Sequence, residues 1–210
     1  MTLALMCGLS FAGKSTLAAR LTDSLPASLI SLDLINEERG LHGGQGIPLE
    51  EWAETNRIAH ERGRELLDAG HRVIVDDTGS PRFIRDEWRK VADSCGAPFV
   101  VVWIRISPEL QQTRVRANRL SPNRPDVTDA VLHDHRANFE PPVDEDALTI
   151  DAQDTADPTQ VNALVEQVRS LRAPWTTAHQ QGSASDHRCR ARQPPRHLTS
   201  IPRTPPPRPY

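Results

Sequence analysis

Apolar residues along this chain fall into two alternating patterns. Short continuous runs, at Leu3–Cys7, Leu29–Leu32, Arg72–Val75, Phe99–Ile106 and Leu148–Ile150, read as strands buried on both faces. Between them the apolar positions recur at helical spacing. Lys14–Leu25 puts Leu17, Ala18 and Leu21 on one face, Leu49–Ala69 stops at Gly70, and Val161–Leu171 closes the periodic part. Ser80-Pro81, Ser107-Pro108 and Asp157-Pro158 each set a capping side chain before a proline at the first helical position, where the missing N–H has no helical partner to lose. Leu34–Pro48 holds four glycines and is expected to be a loop or a broken element. Strands alternating with helices predict right-handed crossovers and a three-layer α/β sandwich, with a five-stranded parallel sheet covered on both faces.

After Ala173 the periodicity ends. Eight of the last 38 residues are proline, and Arg, His, Ser and Gln fill most of the rest. Such a segment cannot bury enough apolar surface to offset its ordering entropy. The expectation is one domain over 1–172 followed by a disordered tail over 173–210, polyproline-like near Pro205–Pro207. The tail fits either a solvated extension or a basic segment for RNA or a partner groove, and no partner can be named. It carries six arginines against Asp186, so the overall charge of −3 divides into +5 there and −8 in the body. An acidic body argues against broad nucleic-acid binding, and any anion site in it must be local. Cys7, Cys95 and Cys189 form no CxxC pair, which points to a reducing, cytoplasmic setting and away from a disulfide framework. No apolar run approaches the ~20 residues that span a bilayer.

The chemistry is concentrated near the start. Gly8-Leu9-Ser10-Phe11-Ala12-Gly13-Lys14-Ser15, followed by Thr16, matches G-x-x-x-x-G-K-[ST] and sits between an apolar strand and an amphipathic helix. Glycines let successive amides point into one concavity, and the helix adds its unpaired N–H groups and positive dipole end. Lys14 supplies charge to the β- and γ-phosphates of a nucleotide such as ATP, and Ser15 offers a hydroxyl to Mg²⁺. Lys14 is one of only two lysines; arginine serves elsewhere.

Further candidates follow from strand ends, where ligands of open parallel sheets bind. Asp33 follows the second strand, as a base for a hydroxyl attacking the γ-phosphate or as the N-cap of Leu34–Arg39. Asp76 and Asp77 end the third strand and point to opposite sides, so they should do different jobs. Asp76 is favoured as the Mg²⁺ residue, leaving Asp77 to cap a turn or hold a substrate hydroxyl. Arg114, Arg116 and Arg119, with Arg124 beyond them, fit a lid that closes on phosphates, or an exposed arginine-rich helix. Arg82 and Arg85 fit either a second-substrate contact or the surface. The eight histidines show no metal-ligand spacing, and His133 and His135, two apart, do not share a helix face; zinc is not expected.

Together the Gly8–Thr16 loop, the Ser31–Gly40 stretch, Val75-Asp76-Asp77-Thr78, the Arg114–Arg119 segment and Phe139-Glu140-Pro141-Pro142 resemble the P-loop kinase superfamily. The likeness is to small kinases labelled AAA-family ATP-binding proteins, related to zeta toxins, chloramphenicol phosphotransferase and polynucleotide 5′-kinases. It covers roughly residues 1–170. The resemblance implies a kinase-type strand order and phosphoryl transfer from ATP to a small molecule or a nucleic-acid 5′ end. It also implies Asp33 as the base, Arg39 as a substrate-phosphate or sugar contact, and Arg114 and Arg119 as lid residues. Gly79 departs from the pattern, because relatives often carry a polar residue after Asp-Thr. The alternative in another class is an ATPase or nucleotide-binding switch acting on a protein partner.

Overall fold

The computed structural model describes residues 1–41 and 46–171, so the expected tail and the middle of the glycine-rich Leu41–Ile47 region lie outside the described residues. The elements run β1 (Thr2–Cys7), α1 (Lys14–Ser24), β2 (Ala27–Ser31), α2 (Leu32–Glu38), α3 (Leu49–Asp68), β3 (Arg72–Asp76), α4 (Arg82–Ser94), β4 (Phe99–Arg105), α5 (Pro108–Leu120), α6 (Asp129–Ala137), β5 (Leu148–Asp151) and α7 (Pro158–Ser170). The five strands form one parallel sheet in the order β2-β3-β1-β4-β5. No described helix is long and apolar enough to cross a membrane.

The side-chain alternation of a strand explains the layers. On β1, Ala4 and Met6 face one core, with Leu17 and Leu21 of α1, Val102 and Ile104 of β4, and Leu164 and Val165 of α7. Leu3 and Leu5 face the other, with Ile35 of α2, Leu67 of α3, and Trp88 and Val91 of α4. Both faces of the central strand are thus covered, which is why its sequence is continuously apolar.

Two of the three expected proline-led helix starts are present. Ser107 Oγ accepts from Leu110 N and Asp157 Oδ1 from Thr159 N, each with proline in the first turn. The third expectation fails. The Ser80–Pro81 bond is cis, and α4 begins only at Arg82, one residue beyond Pro81. Ser80 Oγ instead accepts from Glu140 N, and Glu140 Oε2 accepts from Arg82 N, so a distant segment caps α4. The glycine-rich stretch is also more ordered at its start than expected. Leu32 leaves the strand and opens α2, because Ser31 Oγ caps it by accepting from Leu34 N while Ile35 and Asn36 are buried. The short helix α6 escaped the sequence reading because only Leu132 is buried along it.

Arg85 is not a surface residue. It is 1% exposed and is held by Glu145 through Nε and Nη2 at 2.6–3.1 Å, while Nη1 donates to Gly79 O and Glu140 O. A guanidinium can be buried this way only because a carboxylate and two carbonyls replace its water. Arg82 is exposed and pairs loosely with Asp86.

Candidate nucleotide site

β1 delivers the chain into the glycine loop at Gly8. A Cβ there would lie 2.7 Å from Ile104 O of the neighbouring strand, at φ +152, so the position admits only glycine. Gly8 N donates to Thr78 O at 3.0 Å, which ties the loop to the end of β3. Gly13 caps α1, and Lys14 and Ser15 form its first turn. Lys14 Nζ donates to Gly8 O and Leu9 O at 2.9 and 3.1 Å, so the ammonium is folded over the loop.

The outer side of the loop is braced by α5. Gln111 Nε2 donates to Ser10 O, and Arg114 Nη1 donates to Phe11 O and Ala12 O at 2.8–3.0 Å. A trans peptide sets its N–H opposite its C=O. Drawing these carbonyls toward α5 therefore turns the amides of Phe11 and Gly13 away from it. Arg114 Nη2 also reaches Ala152 O, joining the loop to the turn after β5. Phe11, at φ +66, buries its ring with Val115 and Leu132. Ser10 Oγ lies 3.3 Å from His135 Nδ1 of α6.

The carboxylates come from two neighbouring strands. Asp76, at the end of β3, faces the Ser15 side chain. Burial pushes its carboxyl up; Ser15 and Lys14 pull it down, Asp33 pushes it up again and Arg124 pulls it down. Asp33 is exposed in the first turn of α2. Ser31 already caps that helix, so the structural alternative for Asp33 falls away. Lys14 is lowered mainly by burial, with Asp76 and Asp77 opposing and Arg124 reinforcing that shift. Asp77 behaves differently, as strand alternation requires. Its Oδ1 accepts from Thr78 N at 2.6 Å, its Oδ2 is buried with no partner among the described residues, and burial raises its carboxyl.

The arginines divide. Arg114 is a brace for the loop. Arg119 is paired with Asp126 and Asp129 at 3.0 and 2.8 Å and donates to Val127 O. Arg39 is turned onto α3, where Glu51 and Thr55 take its donors. Arg116 is exposed beside His133 in a groove between α5 and α6. The side chain whose charge reaches both Lys14 and Asp76 is Arg124. Burial and the Lys14 charge lower the His135 imidazole, which its spacing from His133 does not reveal. Gly79 is explained by space, since a Cβ would come within 2.7 Å of Met6 O.

A parallel sheet in this order, with a glycine loop between its central strand and the next helix, defines a P-loop kinase-like domain. The chain belongs to the AAA domain family, whose model matches residues 3–142. Among solved structures, Kti12 from Chaetomium thermophilum in complex with ADP-AlF3 is similar at 18% identity and a TM-score of 0.63, covering 80% of this chain and 97% of that one. A gluconokinase from Sinorhizobium meliloti is similar at 16% identity and 0.58, covering 80% and 95%. The Mycobacterium tuberculosis APS kinase CysC in complex with AMPPNP and APS is similar at 21% identity and 0.58, covering 80% and 98%. At these identities the likeness is one of fold. No curated protein matches the sequence.

Proposed function

We propose that this protein transfers the γ-phosphate of ATP to a hydroxyl of a small molecule or a nucleic-acid 5′ end. The observation that carries this reading is the convergence of Lys14, Ser15, Asp76 and Asp33 at the carboxyl ends of β1, β3 and β2. The residues fit a divalent cation, because the Ser15 hydroxyl and the Asp76 carboxylate stand together, with the charge of a second carboxylate, Asp33, reaching Asp76. Among the described residues no group of three or more His, Cys, Asp or Glu could hold a metal alone. Mg²⁺ suits such a site, since it takes one or two protein ligands and completes its shell with water and phosphate. Bound through Ser15 and Asp76, Mg²⁺ would neutralise charge on the β- and γ-phosphates.

In this reading the loop amides and Lys14 hold the polyphosphate. Asp33 accepts the proton of the acceptor hydroxyl as its oxygen bonds to the γ-phosphorus. The bond from that phosphorus to the bridging oxygen breaks, and ADP leaves with the electron pair. Arg114 keeps the loop in its binding shape, and Arg119 holds the segment after α5. Arg39 serves by anchoring α2, and with it Asp33, to α3. Asp77 holds the turn that leads to the acceptor side. Such catalysis is mostly positioning and charge stabilisation, which a compact site can supply.

The test uses γ-labelled ATP against a panel of hydroxylated metabolites and 5′-hydroxyl oligonucleotides. Lys14→Ala should lose nucleotide binding and transfer together. Asp33→Asn should keep ATP affinity and lose transfer by ~10²–10⁴. Wild-type transfer by Asp33→Asn on a confirmed acceptor refutes the base assignment. Hydrolysis seen only with a protein partner would favour the switch reading.

A further inference from the structure

The segment between α5 and α6 is exposed from Leu120 to Asp126, yet one buried side chain is devoted to its backbone. Asn118, 5% exposed, accepts from Asn123 N and Arg124 N through Oδ1 and donates to Arg124 O through Nδ2, all at 3.2–3.3 Å. One amide therefore brackets the Arg124 peptide from both sides. The Arg124 guanidinium lies over the Phe11 ring, 4.6 Å from its centroid. Phe11 is itself part of the glycine loop, with its ring buried against Val115 and Leu132. A stacked guanidinium is held flat and loses little freedom when it meets an anion.

Resting on the nucleotide reading above, we propose that Asn118 is a positioning residue. It sets Arg124 on the Phe11 platform so that this cation meets charge developing on the transferred phosphoryl group. Burying a primary amide solely to fix one exposed loop residue is otherwise a costly arrangement, since every unmatched polar group there is penalised. The ring ties the cation to the loop itself, so loop and arginine keep register.

Affinity for ADP with aluminium fluoride and Mg²⁺, compared with ADP and Mg²⁺ alone, tests this without any acceptor. Both are read by titration calorimetry, with thermal midpoints as the fold check. Arg124→Ala, at an exposed site, should weaken the fluoroaluminate complex by ~10-fold or more and ADP by less than ~2-fold. Asn118→Ala should lower the same ratio by a smaller factor, and the double variant should match Arg124→Ala, because the amide acts only through the arginine. Should Asn118→Ala lose the fold, Asn118→Asp, which keeps the acceptor and turns the donor to Arg124 O into a second, charged acceptor, is measured in the same cycle. An unchanged ratio in a folded Asn118 variant, or a double variant worse by the full Asn118 factor, overturns the proposal. A wild type that binds neither ADP complex overturns the nucleotide reading instead.

Discussion

Replacing Gly79 by alanine probes how closely the end of β3 is built against the start of the glycine loop. At φ +60 the backbone lies in the left-handed region, which costs an L-residue about 1–2 kcal/mol. The added Cβ would stand 2.7 Å from Met6 O, 2.9 Å from Cys7 Cβ and 3.0 Å from Cys7 Cα. Two of these are backbone atoms of β1, which is paired on both sides and cannot retreat. Overpacking of this kind adds about 1–3 kcal/mol, while alanine's lower entropy in the unfolded chain returns about 0.4–1. The net expectation is a loss of about 1–5 kcal/mol, a large part of a typical domain's ~5–15. Gly96 supplies the control, because its φ is +63 with nothing within 4 Å of a Cβ. Urea unfolding at constant m should show Gly79→Ala destabilised well beyond Gly96→Ala, the difference being the clash alone. Gly79 O also accepts from Arg85, and Thr78 O accepts from Gly8 N, so MgATP affinity should fall in the same variant. If Gly79→Ala and Gly96→Ala unfold within ~0.5 kcal/mol of each other, the close approach of β3 to the loop is wrong.

The Arg85–Glu145 pair and Asp76 give predictions of opposite sign. The Arg85 hydrogen bonds hold the Glu145 carboxyl below the usual glutamate range against the opposing effect of burial. Its stabilisation is therefore full above that range and is lost as pH falls through the lowered value. Glu145→Gln should flatten the acid limb of stability against pH and cost about 3–5 kcal/mol at neutral pH by leaving Arg85 buried and unpaired; equal acid limbs in chemical denaturation would refute this. Asp76 is raised by burial, so its charged form is penalised above the raised value and relieved as pH falls. Asp76→Asn should thus unfold at higher urea than wild type at neutral pH while losing Mg²⁺-dependent ATP binding, and a less stable variant contradicts the assignment.

The fold was legible because its signals are long or chemically unambiguous. The five apolar runs and the helices α1, α3 and α7 lie within a few residues of their expected bounds, and Ser107 and Asp157 mark their helix starts as capping chemistry requires. Ser80 failed because its hydroxyl has a better partner 60 residues away, at Glu140 N, which no local pattern can reveal. Arg85 failed for a related reason. An arginine in a polar stretch looks exposed until the fold brings Glu145 and two carbonyls around it. The strand-end rule leads to Asp33 and Asp76, because the sheet's polarity sends every strand's carboxyl end to one edge; the Asp76 charge acts on Lys14, and that of Asp33 on Asp76. The arginines were harder to sort. Their spacing along α5 says which share a face, but not that Arg114 turns inward to the loop carbonyls while Arg124, beyond the helix, lies on Phe11.

The electrostatics of the cluster constrain what it can accept. Lys14 stands near Asp76 and Asp77, with Asp33 acting on Asp76, and Arg124 adds a second cation whose influence is felt by both Lys14 and Asp76. The body around them is itself acidic, with the positive charge displaced beyond residue 172. A bare polyphosphate approaching these carboxylates meets like charge, and at partly buried positions salt screens that repulsion poorly. Glycine-loop amides and one ammonium offset it only locally, on the phosphate groups they touch. A divalent cation carried with the nucleotide would reverse the sign of the encounter at Asp76, turning a group that opposes the anion into the one proposed to hold its metal. The proposed substrate is therefore the magnesium complex of the nucleotide rather than the free triphosphate, and ATP affinity should collapse with excess EDTA in wild type but change far less in Asp76→Asn.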